Sequence, residues 1–190
     1  MAESQNTVGR NNLNILGIIL AVIGLCISLY ALQHHIDLKQ NGATDAFCNV
    51  NETLSCDSIA NSEYSEDPWG NPLGLYGMGY FLGLLLLLIS AMVKEEYRKD
   101  TMPTYALMTG LGVVVSLALF AISHFQVGAF CLTCIGVYSV TLIQALVTFF
   151  LRHEIPQTWS LKGLYNGGFY MFLALLAIMT GYQAVSYTHL

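Results

Sequence analysis

Residues Leu73–Val93 read LGLYGMGYFLGLLLLLISAMV, a stretch without one acidic or basic side chain. At 1.5 Å rise per helical residue, ~20 apolar residues cross the ~30 Å hydrocarbon core of a bilayer. Four more stretches of the same kind lie outward from it: Leu13–Leu32, Thr104–Ser123, Phe130–Leu151 and Leu164–Ala184, all free of Asp, Glu, Lys and Arg. Charged residues are 10% of the chain, against roughly 25% in soluble domains. Hydrophobic residues make up 55% and the mean hydropathy is +0.56. A soluble chain of 190 residues cannot cover that much apolar surface. The expectation is an all-α integral membrane protein with five crossing helices.

The basic residues set the orientation, because short loops rich in Lys and Arg stay cytoplasmic. Arg10 precedes the first span, Lys94, Arg98 and Lys99 separate the second from the third, and Arg152 and Lys162 separate the fourth from the fifth. Only Lys39 falls on the other side. The N-terminus is therefore expected inside, with the 33–72 loop, the tight His124–Ala129 connection and the C-terminus outside. The first apolar run is longer than the ~7–15-residue core of a signal peptide, and Tyr30-Ala31-Leu32-Gln33 is a poor cleavage site, so a retained helix is expected. The net charge of −5 argues against nucleic-acid binding.

Four of the five cysteines then fall on the outer side as two pairs, Cys48/Cys56 in the polar loop and Cys131/Cys134 as a C-x-x-C. Outside the cytoplasm paired cysteines default to structural staples, and that reading stands for Cys48/Cys56 taken alone. The C-x-x-C closes too small a ring to add much constraint and has the usual spacing of reversible thiol chemistry. Zinc is the competing use, but a tetrahedral site needs four ligands and His124 is the only histidine placed near this pair. The pair opens the fourth span, where unpaired helix N–H groups favour thiolate. Tyr138 follows Cys134 by one turn on the same face, placed to hydrogen-bond a ligand carbonyl or to serve as an interfacial aromatic.

Cys48-x7-Cys56, Ser62 six residues on, the Tyr76-Gly77 opening of the second helix, and Cys131-x-x-Cys134 followed by Tyr138 together resemble the vitamin K epoxide reductase family. The resemblance covers residues 10–152. It implies a four-helix catalytic bundle around a quinone, capped by the outer loop, with a connector and fifth transmembrane helix at 153–185 as in bacterial members. Bacterial relatives act like the disulfide-bond protein DsbB, reoxidising a secreted or fused thioredoxin-like (DsbA-like) partner and delivering electrons to membrane quinone, of ubiquinone or menaquinone type. The resemblance implies that Cys48 meets the partner, Cys56 relays to Cys131, and Cys134 faces the quinone and forms the transient adduct with it. It also implies that Ser62 and Tyr138 line the quinone pocket, and with Cys134, Asn71 and Tyr76 they make up the expected cofactor-binding set. The asparagine that vertebrate members carry just before the second helix aligns with Leu73 here, though Asn71 is close by; this weakens the case for vitamin K quinone or epoxide reduction, which stands as the alternative that differs only in substrate.

Such a relay needs the outer loop to move, and Gly42, Gly70 and the polar 61–67 run suit a mobile element. Other features carry plainer expectations. Cys26 reads as a buried inert hydrophobe, His34 and His35 as interfacial, Glu63, Glu66 and Asp67 as solvated charges, and Trp69 as an interfacial anchor. Asn51-Glu52-Thr53 is a glycosylation sequon of meaning only in a eukaryotic secretory pathway. Gly74, Gly77, Gly79 and Gly83 favour close helix packing. Residues 186–190 do not continue the helical pattern and read as a truncation or a foreign remnant. The reading from a different class is a non-catalytic membrane scaffold whose loop disulfide is a permanent staple.

Overall fold

The first helix outruns its apolar stretch. In the computed structural model, which describes residues 2–42, 47–51, 53–93, 95–151 and 161–188, α1 spans Ala2–Asn41. The outer loop therefore opens at Gly42 and not at Gln33. No Pro or Gly interrupts 33–41, and Gly42 is the first residue able to take φ 80°, its N–H reaching Leu38 O at 3.0 Å. The remaining helices are α2 (Cys56–Ala60), α3 (Leu73–Val93), α4 (Glu95–Ile122), α5 (Leu132–Phe150) and α6 (Leu161–Thr188). Among the described residues there is no strand, only two isolated bridges.

Three more boundaries differ from expectation. α6 runs on to Thr188, so residues 186–188 continue the helix expected to end near Ala184, there being no Gly or Pro after Gly181 to stop it. α4 starts at Glu95 and carries Pro103 inside it, with Met102 and Tyr105 buried on either side. An interior proline costs about 3 kcal/mol, and it is this buried packing that opposes the break. The connection after α4 is a π-helical turn, Ser123–Val127, which Gly128 ends at φ 71° by returning its N–H to Ser123 O at 2.9 Å. Lys94, Arg152, most of the connector (residues 153–160), Glu52 of the sequon and the chain end at 189–190 lie outside the described residues.

α1 packs on α3 and α5, and α4 closes the ring by packing on the same two helices; α6 leans on α3 and α4 from outside. Among the described residues five helices are long and apolar enough to cross a membrane. Lipid offers no hydrophobic drive for helices to associate, so small residues and internal hydrogen bonds carry the bundle. Phe81 fills the space Gly24 leaves, while Gly79 and Gly83 receive Leu175 and Met171 of α6. Tyr105 Oη donates to Gln144 Oε1 at 2.9 Å and Gln144 Nε2 donates to Gly17 O at 3.0 Å, tying α4, α5 and α1 at one buried point. Such bonds contribute about 0.6–2 kcal/mol each. Cys26 is exposed on the outside of this bundle and is not a core residue, because its neighbour positions Gly24 and Ser28 take the inward face of α1.

Candidate functional site

Main-chain pairing seats the outer loop. Ser55 N–H donates to Phe130 O at 2.9 Å and Phe130 N–H donates to Thr53 O at 2.7 Å, a parallel bridge between Leu54 and Phe130. Asn51 Oδ1 shapes the approach by accepting from the N–H groups of Thr53 (3.0 Å) and Leu54 (2.8 Å), an Asx turn. Ser55 then caps α2 by accepting from Ser58 N–H at 3.2 Å. A parallel register at 54 and 130 sets Cys56 beside Cys131, and their sulfurs are 3.2 Å apart.

Cys48 and Cys56 are bonded, whereas Cys131 and Cys134 are free. Cys48 is 0% exposed and Cys56 1%, so the loop pair is closed to solvent. Cys131 is the N-cap of α5, one residue outside the crossing helix; its sulfur accepts from Cys134 N–H at 3.4 Å and contacts Thr133 Oγ1 at 2.7 Å. The Cys134 side chain, then Thr133 and the local N–H groups, pull the Cys131 thiol below its ordinary value against the opposing effect of burial. The Cys131 sulfur lies against a sulfur of the loop disulfide, the approach that disulfide exchange requires. Thr133 went unnoticed in the sequence, where a hydroxyl between two cysteines at a helix start was the available signal.

Below the sulfurs, between α1, α3, α4 and α5, lies a cavity of ≈ 310 Å³, within the ~300–1,000 Å³ of small-molecule sites. Ser62, Tyr76, Cys134 and Tyr138 all line it. Most of the remaining wall is apolar, including Phe81, Met108, Leu111, Val115 and Val137. That set fits the flat, apolar ring of a quinone with a few polar atoms at its edges. Ser62 Oγ is already committed to Ile59 O at 2.7 Å. Asn71 is not on the wall: its Nδ2 donates to Asp67 Oδ2 at 2.9 Å and its N–H to Asp67 Oδ1 at 2.8 Å. Tyr76 Oη also donates to Asp67. Burial raises the Asp67 carboxyl, but the bonds from Asn71, Tyr76 and the Trp69 N–H outweigh it and bring it to about 2. Asp67 is therefore the hub of the turn into α3, where the sequence had suggested a solvated charge.

The two histidines at the end of α1 hold the cap down. His34 Nε2 lies 3.0 Å from Asp57 Oδ1, and His35 Nε2 lies 2.9 Å from Glu66 Oε1, which Lys39 Nζ also reaches at 3.1 Å. Because α1 continues as a helix to Asn41, it carries 34, 35 and 39 up beside the loop, and Glu66 is paired where a solvated charge was expected. Lys39 first, then His35, hold the Glu66 carboxyl below its ordinary 4.5, against burial. Its folded-state value being depressed, the latch contributes fully above that value and is lost as the pH falls through the lowered one. Exposed pairs of this kind contribute about 0.2–1 kcal/mol. Glu66→Gln is expected to speed reduction of the Cys48–Cys56 bond by tris(2-carboxyethyl)phosphine, which needs no thiolate, about two- to fivefold at neutral pH, read by alkylating timed samples after return to neutral pH. The ratio of variant to parent should fall toward one below pH 4.5; a ratio independent of pH would remove Glu66 from the latch.

Phe130 is held in place by rings, with Phe120 at 5.4 Å and His124 stacked at 5.8 Å; Phe120 also meets Tyr138 edge-on at 6.4 Å. His124 is thus an aromatic neighbour of Phe130. Among the described residues no three His, Cys, Asp or Glu side chains gather as metal ligands. Helices, cap, both cysteine pairs and cavity occupy one continuous part of the chain, and it is this part, residues 15–149, that matches the Vitamin K epoxide reductase family; the chain belongs to that family.

Proposed function

We propose that the protein is a quinone-dependent thiol–disulfide oxidoreductase of the plasma (bacterial inner) membrane, with its N-terminus cytoplasmic and its cysteines outside. It reoxidises a thioredoxin-like protein, secreted or fused, and so supports disulfide-bond formation. The observation that carries this reading is the 3.2 Å approach of Cys56 and Cys131 sulfurs beneath a loop registered by its own backbone. A permanent staple has no need of a free thiol against it.

The partner's thiolate attacks Cys48, the Cys48–Cys56 bond breaks, and Cys56 leaves with the electron pair. The partner's second thiol displaces Cys48, completing the partner's disulfide. Cys56 then attacks Cys131 of an oxidised Cys131–Cys134 pair, and Cys134 leaves as thiolate. Cys48 attacks Cys56 in the resulting Cys56–Cys131 bridge, restoring Cys48–Cys56 and freeing Cys131. Two electrons have moved from the partner's dithiol to Cys131/Cys134, with the protons balanced by solvent. A quinone, when bound, accepts two electrons and two protons and so returns Cys131/Cys134 to the disulfide. Cys134 and Tyr138 would hold it, with Ser62 and Tyr76, whose hydroxyls already donate to Ile59 O and Asp67, contributing wall rather than free donors.

In Cys134→Ala the free Cys131 can exchange only with the loop pair: its thiolate attacks Cys56 of the Cys48–Cys56 bond and Cys48 leaves as thiolate. With the released Cys48 alkylated by N-ethylmaleimide so that it cannot return, a Cys56–Cys131 disulfide is expected to accumulate in most molecules, seen by peptide mapping under non-reducing conditions. A variant that keeps Cys48–Cys56 throughout would favour the scaffold.

A further inference from the structure

Ser28 lies on the inward face of α1, is 1% exposed, and its Oγ has no hydrogen-bond partner among the described residues. Hydroxyls in helices ordinarily return to a carbonyl one turn back, as Ser90, Ser139, Thr141, Thr148 and Thr180 do here. Ser28 lines the cavity instead. Its oxygen faces α3 at Gly77, where a Cβ would come within 2.7 Å of it. That glycine supplies no side-chain partner and keeps the space beside the hydroxyl clear. A buried hydroxyl left without an acceptor costs folding energy, so a partner for it belongs in the cavity. A para-quinone carries two carbonyl oxygens on opposite edges of its ring, and a donor beside Cys134 can meet only one.

We infer that Ser28 donates a hydrogen bond to a carbonyl oxygen of a quinone bound in this cavity. The inference rests on the quinone reading of the cavity. The test uses oxidised protein in detergent and 2,3-dimethyl-1,4-naphthoquinone, measuring the dissociation constant by equilibrium dialysis and the bound carbonyl stretch by infrared difference spectroscopy. Ser28→Ala is expected to raise the dissociation constant about three- to tenfold, the worth of one hydrogen bond. It should also return one carbonyl band toward its free position, while Ser90→Ala changes neither readout. Gly77→Ala keeps Ser28 but crowds its oxygen; it should move the same band, and it serves if Ser28→Ala does not fold. A parent that binds and a Ser28→Ala protein with the same constant and the same bands overturn the role of Ser28 alone. A parent that binds no quinone overturns the reading of the cavity along with it.

Discussion

Purified protein supplied with a reduced thioredoxin-like donor is expected to reduce a soluble quinone, and both Cys131→Ala and Cys134→Ala should lower that rate by roughly 10³-fold or more, as removal of a reacting nucleophile does. The two variants fail at different points, which makes the pair informative. Without Cys131, the loop pair loses the sulfur that sits 3.2 Å from Cys56, so a single turnover with partner stops after the loop pair is reduced. Without Cys134 there is no Cys131–Cys134 disulfide for Cys56 to attack, and the exchange left is that of Cys131 with the oxidised loop pair, which gives a Cys56–Cys131 bridge with Cys48 released and delivers no electrons to quinone. Neither change disturbs the pairing of Phe130 with 53–55, which uses main-chain atoms, so the cap stays seated and loss of activity is not loss of fold. Full turnover in either variant would refute the relay.

Gly74→Leu is expected to be the most damaging change at any helix contact near the site. A Cβ at this position would stand 2.9 Å from Leu32 N and 3.1 Å from Leu32 Cα. Backbone cannot rotate aside as a side chain does, so α1 and α3 must separate. Overpacking costs about 1–3 kcal/mol and more where nothing can yield, which corresponds to a melting-temperature loss of about 6–12 °C for ~3 kcal/mol in a chain of this size. Gly74 and Gly77 both line the cavity, so the KM for quinone should rise in the same variant. Gly110, which has nothing within 4 Å of its Cβ position, supplies the control: Gly110→Leu should shift the melting temperature little. Equal losses at both positions would mean that the α1–α3 approach does not set the effect, since leucine forms helix more readily than glycine and propensity alone would stabilise both variants.

The crossing helices were legible because a bilayer demands length and apolarity over an unbroken run, and both are properties of the linear chain. The end of α1 was not, since the apolar signal stops at Leu32 while the helix stops where Gly42 permits a positive φ. Cysteine spacing marked the chemistry, but what sets Cys56 against Cys131 is a bridge between Leu54 and Phe130 made by peptide groups, which every sequence possesses. His34, His35 and Glu66 gave no pattern either. Their pairing depends on the extra turns of α1 that bring distant charges together. Ser28 was invisible for a related reason: whether a helical hydroxyl is satisfied is decided by the facing helix, here at Gly77.

The closed burial of Cys48 also bears on which reductants the protein can hear. Small thiols collide with everything the medium bathes, and a bond with 0% of one partner exposed offers them no sulfur to strike. Access waits on displacement of the cap, which Asp57 and Glu66 hold to α1. On the proposed function, a protein donor would have to lift the cap to reach the sulfur. The cap would then act as insulation around a conductor, and discrimination between donors would be a matter of which can open it rather than which has the lowest redox potential.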